Sequence, residues 1–213
     1  MKISILCSDS SHPVNGYLEK WSLEAKDSHV ISILREKSEL IGGDILFLIS
    51  CSEIIDEAER KKFRYCLVIH ASDLPKGKGW SPYIWDILNG NEKITISLIE
   101  AEDKLDTGRI WEKISVPIPK HYLWDEINDV LFKAEIDLIE YAIINLDQVN
   151  PKPQPLSKKS SYYRKRTPSD SKVDPNLSIS QQFDLIRVCD PIRYPAYFEH
   201  LDHKYKLTIE KIK

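Results

Sequence analysis

His70 and Asp106 are the side chains of this sequence best suited to moving a proton. An imidazole with an unperturbed pKa of about 6.5 exchanges protons near neutrality, and a carboxylate beside it orients the ring and stabilises its charged form. His70 follows the apolar run CLVI (66–69), which reads as a short buried strand, so it falls where a strand gives way to a loop. That loop carries Pro75, Gly77, Gly79 and Pro82 and cannot turn helical before Pro82. Asp106 sits in the turn Leu105-Asp106-Thr107-Gly108, after the strand-like run ITISLIEA (94–101). Ser72 adds a hydroxyl two residues past His70. The plain alternatives are a structurally satisfied histidine at a strand end and an aspartate capping its own turn. A place in loops of one sheet favours chemistry.

Holding two such groups together takes a scaffold. Strand-like runs at 2–7, 29–36, 42–50 and 66–69 alternate with helical patterns at 18–27 and 52–63, and a short helix closed by Gly90 (83–90) precedes the strand at 94–101. Near-continuous apolar strands alternating with helices predict an α/β fold, a Rossmann-like, mostly parallel sheet flanked by helices. Ligands of such sheets collect beyond the carboxyl ends of the strands. The loop 8–15, the segment 51–55 and His70 are expected there. His12 and Asn15, together with Lys76, Lys78 and Trp80 of the loop after His70, are therefore candidate substrate contacts. No G-x-G-x-x-G follows the first strand, so a dinucleotide is not expected.

Leu123, Ile127, Val130, Leu131, Ala134, Leu138, Tyr141 and Ala142 recur at helical spacing and predict a long helix over 121–149 that packs on the core. Three prolines in PKPQPL then divide a domain of residues 1–150 from a linker and extension, 151–213. The extension is expected to form a small helix within 178–190 and a terminal β-hairpin turning at Leu201-Asp202-His203. Arg164 and Arg166 beside Tyr162 and Tyr163 suit diphosphate and base recognition, since arginine pairs bidentately with phosphate and tyrosine stacks. A solvated basic linker has the same composition.

The 213 residues suffice for one sizeable core, and 42% hydrophobic with 30% charged residues is an ordinary soluble composition. A net charge of −3 argues against a large nucleic-acid surface. No apolar run is long enough to span a bilayer, and the first residues lack a signal-peptide pattern. Cys7, Cys51, Cys66 and Cys189 form no C-x-x-C pair, so reduced thiols in a cytoplasmic protein, with no metal site, are expected.

His70-Ala71-Ser72-Asp73-Leu74-Pro75, a basic residue and Gly before an aromatic-Ser-Pro82, and then Leu105-Asp106-Thr107-Gly108 resemble the signature of the N10-formyltetrahydrofolate-dependent formyltransferases. The match is close over 66–111. The tail, with Arg166-Thr167-Pro168, Phe183-Asp184-Leu185-Ile186-Arg187 and Tyr194-Pro195-Ala196, is similar to the sugar-modifying branch, notably enzymes of pseudaminic-acid-type pathways. The resemblance implies transfer of a formyl group from N10-formyltetrahydrofolate to the amine of a nucleotide-linked amino-deoxy sugar, such as UDP-4-amino-4,6-dideoxy-N-acetylaltrosamine, used on a surface glycan or flagellin. It implies His70 as general acid/base or oxyanion partner, and Asp106 as orienting carboxylate or direct proton acceptor. Ser72 would donate to the oxyanion, a contribution of about 3–4 kcal/mol per donor. The folate would lie against Cys51, Ser52, Ile54 and Ile55, with Leu74 and Asp106 completing its site. One position departs: the family's Asn two residues before the histidine is Val68 here. Valine has no hydrogen-bonding group, which raises a second reading, a folate- or nucleotide-sugar-binding homologue that no longer catalyses. A third is formyl transfer to another amine, such as one borne by tRNA. A homodimer through the apolar face of the hairpin is a further expectation.

Overall fold

The computed structural model describes residues 1–157 and 159–212. Its centre is a six-stranded sheet in the order β2-β1-β3-β4-β6-β7, made of β1 (Lys2–Leu6), β2 (Val30–Leu34), β3 (Gly43–Leu48), β4 (Phe63–His70), β6 (Lys93–Glu100) and β7 (Ile110–Pro117). β1 to β4 pair in parallel, β6 runs against β4, and β7 runs against β6, so β6 alone is reversed. This is the expected mostly parallel α/β sheet. A two-residue strand, β5 (Lys78–Gly79), leaves the sheet to pair elsewhere.

Strand alternation sorts the core onto two faces. Ile3, Ile5 and Cys7 of β1 and its exit, Ile45 and Phe47 of β3, and Leu67 and Ile69 of β4 form the larger cluster, covered by α1 (Val14–Ala25), α3 (Pro82–Leu88) and α4 (Trp124–Ile144). The other face carries Leu6, Leu46, Leu48, Ile55 and Phe63, with Cys66 and Val68 packed against them under little helical cover. Each fully buried Ile or Leu contributes about 1.5–3 kcal/mol, so the first cluster dominates stability. α4 is the long helix the spacing predicts, with Ile127, Leu131, Ala134, Leu138 and Ala142 all buried. Glu126 accepts from the Leu123 N–H at 2.9 Å and satisfies its first turn.

Two elements differ from expectation, and a third, β7, had none. The helix expected over 52–63 is a single turn, α2 (Glu57–Arg60). Asp56 caps it by accepting from the Glu59 N–H at 3.0 Å, and the Ser52 N–H is taken by Ser8 Oγ at 2.9 Å, so residues ahead of Asp56 are held out of the helix. β7 carries no clean alternation, because Glu112 and Lys113 interrupt it and the β6–β7 register shifts between Leu98 and Ile99; its pairing partner, rather than its own pattern, makes it a strand. The helix expected within 178–190 is a 3-10 turn at Ser180–Gln182 followed by the short α5 (Phe183–Arg187).

The extension ends in the expected hairpin, β9 (Ala196–His200) and β10 (His203–Leu207), turning through Leu201 and Asp202, both at positive φ. It is docked by ionic ties. Arg187, 2% exposed, pairs with Asp184 at 2.6 Å and donates to the carbonyl of Tyr122 at 3.1 Å, and Arg193 pairs with Asp9 in the loop after β1. Among the described residues no helix is long and apolar enough to cross a membrane, and all four cysteines are free.

Candidate active site

His70 ends β4 on the thinly covered face, since residues 66, 68 and 70 alternate to one side. Its register neighbours are Ser97 and, across from that, Lys113. The loop that follows folds back over this row. Ser97 Oγ donates to the Ser72 carbonyl at 2.6 Å, and Lys113 Nζ donates to Asp73 Oδ1 at 2.6 Å and to the Leu74 carbonyl at 2.7 Å. The Leu74–Pro75 peptide is cis, and Leu74 is fully buried beneath the loop.

That closure brings the two sequence-predicted groups together. His70 Nδ1 lies 3.6 Å from Asp106 Oδ1, and both side chains are largely buried. His70 Nε2 is 2.8 Å from the Gly77 carbonyl. A carbonyl only accepts, so Nε2 carries the proton and the Nδ1 lone pair of the neutral ring faces Asp106. Asp106, at φ +53°, is fixed by the Gly79 N–H, which donates to Oδ2 at 2.8 Å. The arrangement is a base with one open nitrogen. A proton arriving at Nδ1 turns the ring into an imidazolium directly beside a carboxylate, which is the charge pattern a general base requires in its product state.

Ser72 is 1% exposed, and its Oγ has no hydrogen-bond partner among the described residues. Ile55 is buried in the thin-face cluster and Cys51 packs against it, whereas Ile54 points out and is 79% exposed. Ser52 Oγ lies 3.0 Å from Ser8 Oγ. Both ring nitrogens of His12 are engaged within the chain: Nδ1 accepts from the Val14 N–H and Nε2 lies 3.3 Å from Ser50 Oγ. Burial, with Arg193 nearby, pushes His12 down to about 4, so it stays neutral. Asn15 closes its own loop, donating to the carbonyls of Asp9, Ser10 and His12. Lys76 is exposed and Lys78 half-buried; Trp80 is 37% exposed under Lys165 Nζ, 4.6 Å from its ring centre. Arg164 pairs with Asp170 and lies over Trp85, while Arg166 donates to the Asp170 carbonyl at 2.9 Å.

Sequence reasoning missed the groups that hold the pair. They are the peptide of Gly77, the N–H of Gly79 and, from beyond the proline-rich link, Gln154, Ser161 and Tyr163. The two glycines had a visible signal in the tightness of the loop. Gln154 and Ser161 had none, because a polar residue in a linker looks the same whether or not it faces a carbonyl.

An open α/β sheet with a histidine–aspartate pair at the carboxyl end of a central strand is a scaffold for group transfer with proton movement. Residues 7–143 match the family model described as formyl transferase, so the chain belongs to the formyl transferase family. The methionyl-tRNA formyltransferase of Rickettsia bellii is 29% identical over 170 residues, 78% of this chain and 55% of that protein. The chain thus spans about half the length of the curated relatives it matches. Among solved structures, the methionyl-tRNA formyltransferase of Clostridium thermocellum superposes with a TM-score of 0.80 at 23% identity, covering 100% of this chain and 94% of that one. A likely sugar N-formyltransferase from Mycobacterium tuberculosis gives 0.74 at 16%, covering 100% and 99%.

Proposed function

We propose that the chain is an N-formyltransferase that takes its formyl group from N10-formyltetrahydrofolate and places it on the amine of a nucleotide-linked amino-deoxy sugar. The observation that carries the reaction is the geometry of His70, with Nε2 locked to Gly77 and Nδ1 free beside Asp106. Formyl transfer needs a neutral amine and a group to receive its proton. His70 Nδ1 receives it and passes it to N10 of the folate as the formyl C–N10 bond breaks, and Asp106, held by the Gly79 N–H, balances the charge in between. The co-substrate supplies an acyl carbon already bonded to nitrogen. The apolar wall of Cys51, Ile55 and Val68 on His70's face suits one side of a flat heterocycle.

The sugar acceptor is supported by the net charge of −3, which gives no reason to expect a large nucleic-acid surface, and by the exposed aromatics Trp80 and Tyr162, with Lys165 over the Trp80 ring, a stacking surface with a cation for a nucleoside diphosphate. Structural relatives named as sugar N-formyltransferases agree with it. Within this class a UDP-linked 4-amino-4,6-dideoxy-N-acetylaltrosamine is the first acceptor to try. The test incubates purified protein with N10-formyltetrahydrofolate and a panel of nucleotide-linked amino sugars, alongside methionyl-tRNA. Formylated sugar that disappears with His70→Ala supports the reading. Formylated tRNA with no sugar product overturns the acceptor, and tight folate binding without any turnover overturns catalysis.

A further inference from the structure

We infer that the active site extends past the family-matched region, and that Gln154 and Ser161 are positioning residues for His70 and Asp106. The match ends at residue 143, and the chain then leaves α4 through a proline-rich link. The link returns. Gln154 Nε2 donates to the carbonyls of Asp106 at 2.9 Å and of Gly108 at 3.0 Å, gripping the turn that carries the catalytic carboxylate from its backbone side. Seven residues on, Ser161 Oγ accepts from the Gly77 N–H at 2.9 Å. Gly77 is the residue whose carbonyl accepts from His70 Nε2, so a single residue links the tail to the catalytic ring.

The grip is continued by a short parallel ladder. The Lys78 N–H donates to the Ser161 carbonyl and the Trp80 N–H to the Tyr163 carbonyl, both at 3.0 Å, pairing β5 with β8 (Tyr162–Tyr163). Tyr163 stacks on Trp85 with ring centres 5.8 Å apart and donates from its hydroxyl to Asp86 at 3.2 Å. Gly79 sits against this strand at φ +92°, and a Cβ there would lie 2.8 Å from the Tyr162 ring. The Gly77 and Asp106 loops are thus held from outside by the chain after residue 150 and by the row of Ser97 and Lys113 beneath, with Arg60 of α2 pairing to Asp103 at the far side of the Asp106 loop. A shift of about 1 Å in such groups is enough to cost up to about 10²-fold in rate.

The inference rests on the formyl-transfer reading only through its kinetic arm. Gln154→Ala, Gln154→Glu (same shape, no donor) and Ser161→Ala are compared with wild type, with Ser161→Thr as rescue and Lys172→Ala, which removes only the surface pair with Glu199, as control. Circular dichroism establishes folding. The expected result is a kcat about tenfold lower for Gln154→Ala, Gln154→Glu and Ser161→Ala, with both KM values within twofold, recovery in Ser161→Thr and no change in Lys172→Ala. In parallel, ¹⁵N-labelled imidazole spectra read the His70 tautomer directly and need no acceptor. Wild type should show the Nε2–H form, and Ser161→Ala a tautomer mixture. Unchanged kcat, or a rise in KM alone, overturns the assignment. If no acceptor turns over with any variant, an unaltered His70 spectrum in Ser161→Ala overturns it on its own, and an altered one sustains it.

Discussion

Glu135 offers a quantitative test of how the core is built. It lies on α4, is 5% exposed, and its Oε2 has no partner among the described residues. Burial alone pushes its carboxyl up from 4.5 to about 8. In the unfolded chain the group ionises near its ordinary value, so between roughly pH 4.5 and 8 the folded protein holds a proton that the unfolded chain has released. The contribution of Glu135 to stability is thus greatest below that window, falls by about 1.4 kcal/mol per pH unit through it, and has dropped by about 5 kcal/mol at its upper end. The nearby Cys7 thiol is pushed up to about 11 and the Tyr83 hydroxyl is raised as well, both chiefly by burial, so neither titrates inside the window. Glu135→Gln keeps the shape and removes the charge. Urea titrations of both proteins at pH 5, 7 and 9 should give similar stabilities at pH 5 and a variant about 3 kcal/mol more stable at pH 7, with the gap widening by pH 9. A difference between the two proteins that stays constant from pH 5 to 9 would refute the buried-proton account.

A Cβ at Gly108 would run into the Glu100 carbonyl, so Gly108→Ala should lower stability by about 1–3 kcal/mol and displace the Asp106 turn, seen as a lower melting temperature and a lower kcat together. Arg187→Met removes a buried guanidinium that serves Asp184 and the carbonyl of Tyr122; about 1–3 kcal/mol should be lost in denaturant titration, because the Tyr122 carbonyl loses its donor while the 42% exposed Asp184 side chain is met by water. Val68→Asn supplies the family's amide on His70's face, and kcat should rise by about 10²-fold at most, at a modest cost in melting temperature; an unchanged kcat would mean the oxyanion is already met elsewhere.

The strands β1, β3, β4 and β6 were legible because apolar runs bounded by glycine, proline or charge have few other solutions, and α4 because its stripe repeats over several turns. The meeting of His70 and Asp106 was legible from their places at a strand end and a turn of one sheet, and the shared motif with formyltransferases made it specific. β7 was not, since Glu112 and Lys113 lie on a strand whose partner, rather than its composition, stabilises it. The run Arg164 to Arg166 shows the same limit from the other side. Its composition suits phosphate, yet the fold gives the Arg164 fork to Asp170 and its plane to Trp85, contacts that depend on the chain doubling back. Local pattern fixes elements; it says little about which loop residues a returning segment will clasp.

The valine at position 68 becomes intelligible from the sheet itself. Its register partners are Leu48 of β3 and Ile99 of β6, so it continues an apolar band two residues below the catalytic ring. An amide there would be half-buried among hydrocarbon unless a ligand met it, at a cost of about 1–3 kcal/mol in the free protein. Valine removes that cost and extends the wall against which a flat co-substrate would lie. The same choice leaves the developing charge on the reacting oxygen without that donor. Lys113 does not substitute for it, because its ammonium is already divided between Asp73 and the Leu74 carbonyl. In the proposed reaction His70 itself becomes a cation on taking a proton at Nδ1, so one ring would both receive the proton and supply charge, and the fixing of that ring by Gly77 would matter correspondingly more.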